Sequence, residues 1–312
     1  MILSGFWTFR TSEVGSYEDI EGLSLYVDVS DDAAFIVDTK SYADGLKVLD
    51  ISNFAHITKT TRIETPYTLY GIAISGNYAY LPTWNNGLRV FDISDPAHPF
   101  EAGSCEDLQR ARDVVIRGHY AYVADAQDGL RILDISVPTN PSLVSTWDTE
   151  GYVYAVAVQD HYAYVSDLYW WSGLRVIDIA DPLNPFEVGY LDFPNGEWRV
   201  REMAASGDHV YLIQDYKTCK VIDVSDPQNP SEVASFETYY PANLRFSGNL
   251  LFISDWILGL RVMDVSSPSS PTQVDLLTRV SGAWGFVIRE NLLYIADRDG
   301  SFVILEHKRP GM

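Results

Sequence analysis

Residues 173–185 read GLRVIDIADPLNP, and the chain repeats this phrase with small changes. GLRVFDISDPAHP begins at Gly87, GLRILDISVPTNP at Gly129 and GLRVMDVSSPSSP at Gly259. GLKVLDIS begins at Gly45, the variant TCKVIDVSDPQNP at Thr218 and the worn GSFVILEH at Gly300. Successive anchors lie 41 to 45 residues apart. The run inside each phrase is apolar and β-branched, which favours strand. A period of this length with strand-type residues marks the blades of a propeller.

One unit, residues 69–105, shows the pattern. Leu69–Ser75 reads as an apolar strand, and Gly76-Asn77 as a two-residue hairpin turn. Tyr78–Thr83 is a second strand, Gly87–Ser94 a third, and Phe100–Cys105 a fourth after a proline-fixed turn. Proline is expected only at turns and strand starts, because it cannot donate to a ladder. Neighbouring blades would cover both faces of each sheet, which explains near-continuous apolar runs in place of strict alternation.

The expectation is therefore an all-β chain, a seven-bladed β-propeller of four-stranded antiparallel blades forming one domain over residues 1–312. The last unit, residues 282–306, has no fourth strand after it. Residues 2–10, with Ser4-Gly5-Phe6-Trp7-Thr8-Phe9 at their centre, are expected to complete that blade and close the ring. This removes two open sheet edges.

Composition bounds the partners. Lys and Arg number 22 against 43 Asp and Glu, a formal net charge of −21. Nucleic acid and anionic membrane surfaces both need a basic footprint, so neither is expected. No apolar run approaches the roughly 18 residues of a membrane span. The two cysteines, Cys105 and Cys219, fall on blades that are not neighbours, so no disulfide is expected. Unpaired thiols fit a reducing compartment or burial. The first residues as numbered, Met-Ile-Leu-Ser-Gly-Phe, carry no basic region and no apolar h-region, so no secretory signal is expected in them.

The phrase GLRVIDISDPxxP, preceded by xYAYVAD, resembles the LVIVD repeat of bacterial and archaeal β-propellers, and the likeness runs over nearly the whole chain. It implies a scaffold, with a secreted or cell-surface setting in many members. It supplies no catalytic residues to carry over.

The repeated polar positions read as structural, since a residue present in every blade serves the blade before any single site. Asp38, Asp125, Asp167, Asp215, Asp255 and Asp297 close the second strand, with Thr83 in the other blade, and are expected to cap their own loops. Lys47, Arg89, Arg131, Arg175, Lys220 and Arg261 recur on the third strand as salt-bridge or stem-packing residues. His119, His161 and His209 fall at the first turn, His56 and His98 near the proline turns, and His307 in the tail. No histidine is expected at a working face, and GxSxG and HExxH are absent.

Function is then sought in what does not repeat. The loops from second to third strand and those leading into each blade share one face. They carry Trp84, Trp170, Trp171 and Trp256 in the first set and Tyr70, Tyr152, Tyr154, Trp198 and Trp284 in the second. Such density suggests a binding surface; a hydrophobic lid over the blade ends is the other reading. Arg110-Ala111-Arg112-Asp113 leads into blade 3 and Arg199-Val200-Arg201-Glu202 into blade 5, aligned if the turn at Gly207-Asp208-His209 holds one inserted residue. Asn243 lies at the corresponding place in blade 6. Arginine suits carboxylate, sulfate or phosphate, because its fork donates two parallel hydrogen bonds. Local neutralisation of Asp113 and Glu202 by Arg112 and Arg201 is the plainer alternative.

Three readings follow, two with a working mouth and, third, a purely architectural surface-protein domain with no pocket. The first is a binding module taking a small anionic or saccharide-like ligand, or a protein partner, at the aromatic mouth. The second is an enzyme (lyase, hydrolase or isomerase) with Asp113 and Glu202 as acid and base, Tyr70 or Tyr154 as proton carrier and the arginines as clamps. No cofactor is expected. Calcium is the one cation the sequence leaves open, through loops such as Asp297-Arg298-Asp299-Gly300, where few ligands are in view.

Overall fold

The computed structural model describes residues 10–18, 22–40, 43–149, 151–168, 172–193, 200–214, 217–280 and 282–308. Seven four-stranded antiparallel sheets stand around a common axis. Blade 1, for example, runs outward through Leu23–Ser30, Ala33–Lys40, Ala43–Asp50 and Thr58–Glu64. The innermost strand of each blade packs on the innermost strand of the next, all the way round. Between each neighbouring pair of sheets lies one apolar layer; Phe35, Leu46 and Val48 of blade 1, for instance, meet Ala79, Leu81 and Phe91 of blade 2. A blade by itself would leave both faces wet, so the core exists only in the assembled ring.

The recurring phrase explains itself in the geometry. Gly87, Gly129 and Gly259 take φ of +74°, +77° and +103°. A Cβ there would run into the carbonyl oxygen of Cys105, Trp147 or Leu277 on the outer strand. Only glycine both makes the left-handed step and lets that strand close. The aspartate that ends six of the seven phrases accepts from the amide two residues ahead: Ser94 N lies 2.9 Å from Asp92 Oδ1, with Ser94 Oγ at 2.6 Å, and Asp50, Asp134, Asp178, Asp223 and Asp264 accept from the corresponding amides of their turns.

The acids closing the second strand likewise serve their own loops. Asp255 accepts from the amides of Tyr239, Ile257 and Leu258, and Asp125 from those of Gln109 and Arg110. Asp38 and Asp167 pair with Arg62 and Arg175 at 2.9 and 3.0 Å. Lys47, Arg89, Arg131 and Lys220 of the third strand each have a carboxylate partner. Both cysteines are buried free thiols.

Four expectations are corrected. The N-terminal strand does close the last blade, and its described part is Arg10–Tyr17, paired antiparallel with Phe302–Lys308, so it extends past residue 10, where the expected segment 2–10 ended. Its place is fixed by Gly15, whose missing side chain admits the Phe54 carbonyl of blade 1, and by Val14 and Tyr17 packing on the layer between blades 7 and 1. Residues 1–9 lie outside the described residues. Second, Pro82 sits inside the strand Tyr78–Thr83. Its carbonyl accepts from Tyr70 N at 3.0 Å, so its missing N–H faces the same neighbour, and the inner strand there shrinks to Ala73–Ser75.

Third, the turn at Gly207-Asp208 has two residues and no insertion: His209 opens the strand His209–Gln214, and Gln214 takes the place assigned to Asp215. Asp215 lies outside the described residues. Glu202 then matches Asp113 directly, each five residues before its turn glycine. Fourth, His307 is no tail residue. It is buried in the strand Phe302–Lys308 against the Phe252 ring, and its amide bonds Asn291 O at 2.8 Å, as Ile51, Ile93 and Ile135 do in their blades.

Candidate functional site

The loops leading into the inner strands and those joining second to third strands meet at the axis around a cavity of about 470 Å³. All seven blades reach it. Tyr26, Tyr70 and Tyr154 come from blades 1, 2 and 4; Arg112 and Asp113 from blade 3; Arg201 and Glu202 from blade 5. Blade 6 gives Asn243, Arg245 and Trp256, and blade 7 gives Trp284 and Arg298. Backbone bulges at Pro241/Asn243 and Ala283/Gly285 turn the inner strands of blades 6 and 7 where they meet the cavity.

Two arginines are held by rings in place of carboxylates. Arg112 lies over Tyr154, Tyr70 and Trp84, with its guanidinium carbon 4.3, 5.1 and 5.5 Å from the three centroids. Tyr70 and Trp84 also touch each other at 5.4 Å. Arg298 lies 4.1 Å over Trp256 and 5.7 Å from Trp284. Among the described residues neither arginine has an ion-pair partner. A guanidinium seated on an aromatic face is attracted by the ring quadrupole and keeps its in-plane N–H edge for an anion.

The carboxyls divide by role. Asp113 places Oδ1 2.9 Å from Val114 N and Oδ2 2.9 Å from Val156 N, tying the inner strand of blade 3 to that of blade 4. Asp28 does the same between blades 1 and 2 through Val29 N and Ile74 N, and adds Arg289 at 2.7 Å. Burial raises both carboxyls above the ordinary range. Glu202 accepts from Arg245 Nη1 at 2.8 Å across the blade 5–6 seam. Burial pushes it up to about 7, opposed by Arg245 and helped by the charge of Asp113. The Tyr26 hydroxyl, pushed up to about 12 by burial and then by Glu202, completes this cluster.

The structure thus brings Arg112, Asp113, Arg201, Glu202, Tyr70, Tyr154, Asn243, Trp256 and Trp284 to one cavity. Trp84 backs it through Arg112. Arg110 and Tyr152 stand on its shoulder, linked through Gln127 by bonds of 2.7 and 2.8 Å. Trp170, Trp171, Trp198 and Arg199 lie outside the described residues. Sequence reasoning missed Arg245 and Arg298 as site residues, while Tyr26 occupies the blade 1 position equivalent to Asp113. Arg245 and Asp28 share a position that holds Ala or Val in the other blades, the same odd-residue signal read two residues further along the inner strand. Among the described residues no group of three or more His, Cys, Asp or Glu side chains is placed to hold a metal ion. No helix among them is long and apolar enough to cross a membrane.

Solved structures share the fold widely, with 1339 chains matching. One is virginiamycin B lyase from Staphylococcus aureus, with a TM-score of 0.69 at 12% identity, covering 96% of this chain and 99% of that one. Another is the computationally designed Ika8 protein, with a TM-score of 0.63 at 12% identity, covering 94% and 99%. At such identity the likeness is one of fold. No curated protein matches by sequence. A model of the LVIVD repeat matches residues 22–65, 70–107, 109–149, 150–192, 199–238, 241–276 and 282–306, one segment for each blade. The chain belongs to the LVIVD-repeat family.

Proposed function

We propose that the chain is a binding propeller whose axial cavity takes a small organic anion. One observation carries this reading: the sign of charge inverts at the axis. The whole chain has a formal charge of −21, yet the charged side chains lining the cavity are four arginines (112, 201, 245 and 298) against two carboxyls (113 and 202). Wherever Glu202 holds its proton, the excess of positive charge grows. Arg112 and Arg298 are preorganised by their rings, so an anion would meet them with little side-chain freedom left to lose. The cavity size falls within the roughly 300–1,000 Å³ of small-ligand sites. In this reading Tyr70 and Tyr154 act as ring supports for Arg112, and Asp113 as a clip between blades.

Glu202 favours a second reading. A carboxyl raised to about 7 beside a ligand cavity is matched to general acid–base work at neutral pH. Virginiamycin B lyase, by its name, is a propeller that acts as an enzyme, though its 12% identity lends this chain only its fold.

The test is a thermal-shift titration with a series of mono- and dicarboxylates, repeated on Arg112→Ala. A ligand of the native state raises the melting temperature by mass action. The binding reading expects stabilisation by at least one anion, lost in Arg112→Ala; an equal shift in both proteins, or none in either, refutes it. The enzyme reading expects Glu202→Gln to keep binding and lose turnover of a bound anion.

A further inference from the structure

The cavity does not end at its arginines. On the blade 6 side it opens onto a patch in which Tyr239, Tyr240, Trp256 and Ile257 are 54%, 44%, 42% and 56% exposed. These side chains are not loosely displayed. Asp255 accepts from Tyr239 N at 2.8 Å and from Ile257 N at 3.0 Å, pinning the two loops that carry them. Tyr240 is held at φ +49°, left-handed backbone that a tyrosine rarely adopts, and its carbonyl accepts from Trp256 N at 3.3 Å. Tyr240, Trp256 and Trp284 meet edge to face at 6.1 and 6.3 Å, running from the patch into the cavity. Strain and rigid exposure in one place point to recognition.

A third observation lies between the patch and the arginines. Asn243 lines the cavity and is 6% exposed, and among the described residues its Oδ1 accepts no hydrogen bond. A buried acceptor in that condition calls for a donor. A simple carboxylate has none to offer. A polyol does.

We infer that the ligand is an acidic saccharide. One residue's carboxylate sits against Arg112, its hydroxyl donates to Asn243 Oδ1, and the next sugar ring leaves the cavity across Tyr240 and Trp256. This rests on the anion-binding reading and narrows it. An aromatic acid would satisfy the arginines and the rings but leave Asn243 unanswered. A neutral sugar would answer Asn243 and leave the arginines without an anion. A protein docked on the patch would have no need of the cavity.

Isothermal titration of the intact protein with D-glucuronate, a linear tetrauronide, glucose and benzoate tests the inference. Glucuronate is expected to bind and glucose not to. The tetrauronide should bind about tenfold tighter than glucuronate, the order of one added ring contact. Trp256→Ala should remove that gain, so that the tetrauronide binds the variant no tighter than glucuronate binds the same variant. Asn243→Ala should weaken glucuronate severalfold without lowering the melting temperature of the unliganded protein. Benzoate binding with neither uronide binding overturns the saccharide assignment and leaves the anion cavity standing. A tetrauronide no tighter than glucuronate, or a gain that survives Trp256→Ala, overturns the assignment of the patch. Failure of all anions overturns the anion-binding reading itself, and this inference with it.

Discussion

Asp113→Asn is the substitution that most sharply separates scaffold from site. The native carboxylate accepts from Val114 N and Val156 N at 2.9 Å each, the second bond crossing to the next blade. In the variant one oxygen remains, and the new amide group points N–H at N–H. One charge-assisted bond is lost, which costs about 1.5–3 kcal/mol. Some of this is offset, because burial already disfavours the ionised carboxyl. The net expectation is a loss of about 2 kcal/mol, within the range of single substitutions that break a buried hydrogen bond. In a chain of this size that lowers the melting temperature by about 3 °C. Scanning calorimetry on wild type, Asp113→Asn and Asp113→Ala at one neutral pH measures it. A variant that melts with or above the wild type would refute the clip and return Asp113 to the list of groups available for chemistry.

Removing residues 1–17 should lower the melting temperature by far more than the few degrees that 1 kcal/mol moves, since it strips the strand that closes blade 7; an unchanged melt would mean the ring closes without it. Gly129→Ala should destabilise by about 2 kcal/mol, whereas Gly76→Ala, also at positive φ but facing open space, should cost only about 1 kcal/mol of backbone strain; equal costs would count against the close approach of Trp147. Burial raises Glu202 to about 7 and Asp125 and Asp297 to about 6. A carboxyl whose folded pKa exceeds its unfolded value binds more protons in the fold, so its contribution to stability declines as pH rises between the two. The melting temperature should therefore fall from about pH 5 to about pH 8, with Glu202→Gln flattening the part nearest neutrality; a melt that rises through that window contradicts the sign.

The fold was legible because its causes recur. A glycine forced by close approach, an aspartate that caps its own turn and a buried apolar run appear at nearly every turn of the ring, so the sequence repeats them. The closing strand was expected to end too early because it occurs once: Arg10–Tyr17 carries no repeat phrase, and its register depends on Gly15 meeting a carbonyl of another blade. Pro82 and His307 escaped notice for the same reason, each being a single departure tolerated by its local surroundings. At the axis the rule ran the other way. Arg112, Asp113 and Glu202 stood out as departures from the repeat, but Asp113 looked like chemistry when both of its oxygens are taken by backbone amides. Arg298 follows directly on the repeated Asp297, and only the assembled ring shows it reaching Trp256 and Trp284. One-dimensional spacing does not say which loops from opposite ends of a chain will face each other.

The most direct test of charge inversion at the axis is anomalous diffraction from crystals of the protein bound to a bromine-labelled carboxylate. The account predicts a bromine peak inside the cavity, with the carboxylate against Arg112 or Arg298, and loss of that peak in crystals of Arg112→Ala/Arg298→Ala. Bromine found only on the outer wall, or an axial peak that survives loss of both arginines, would contradict it.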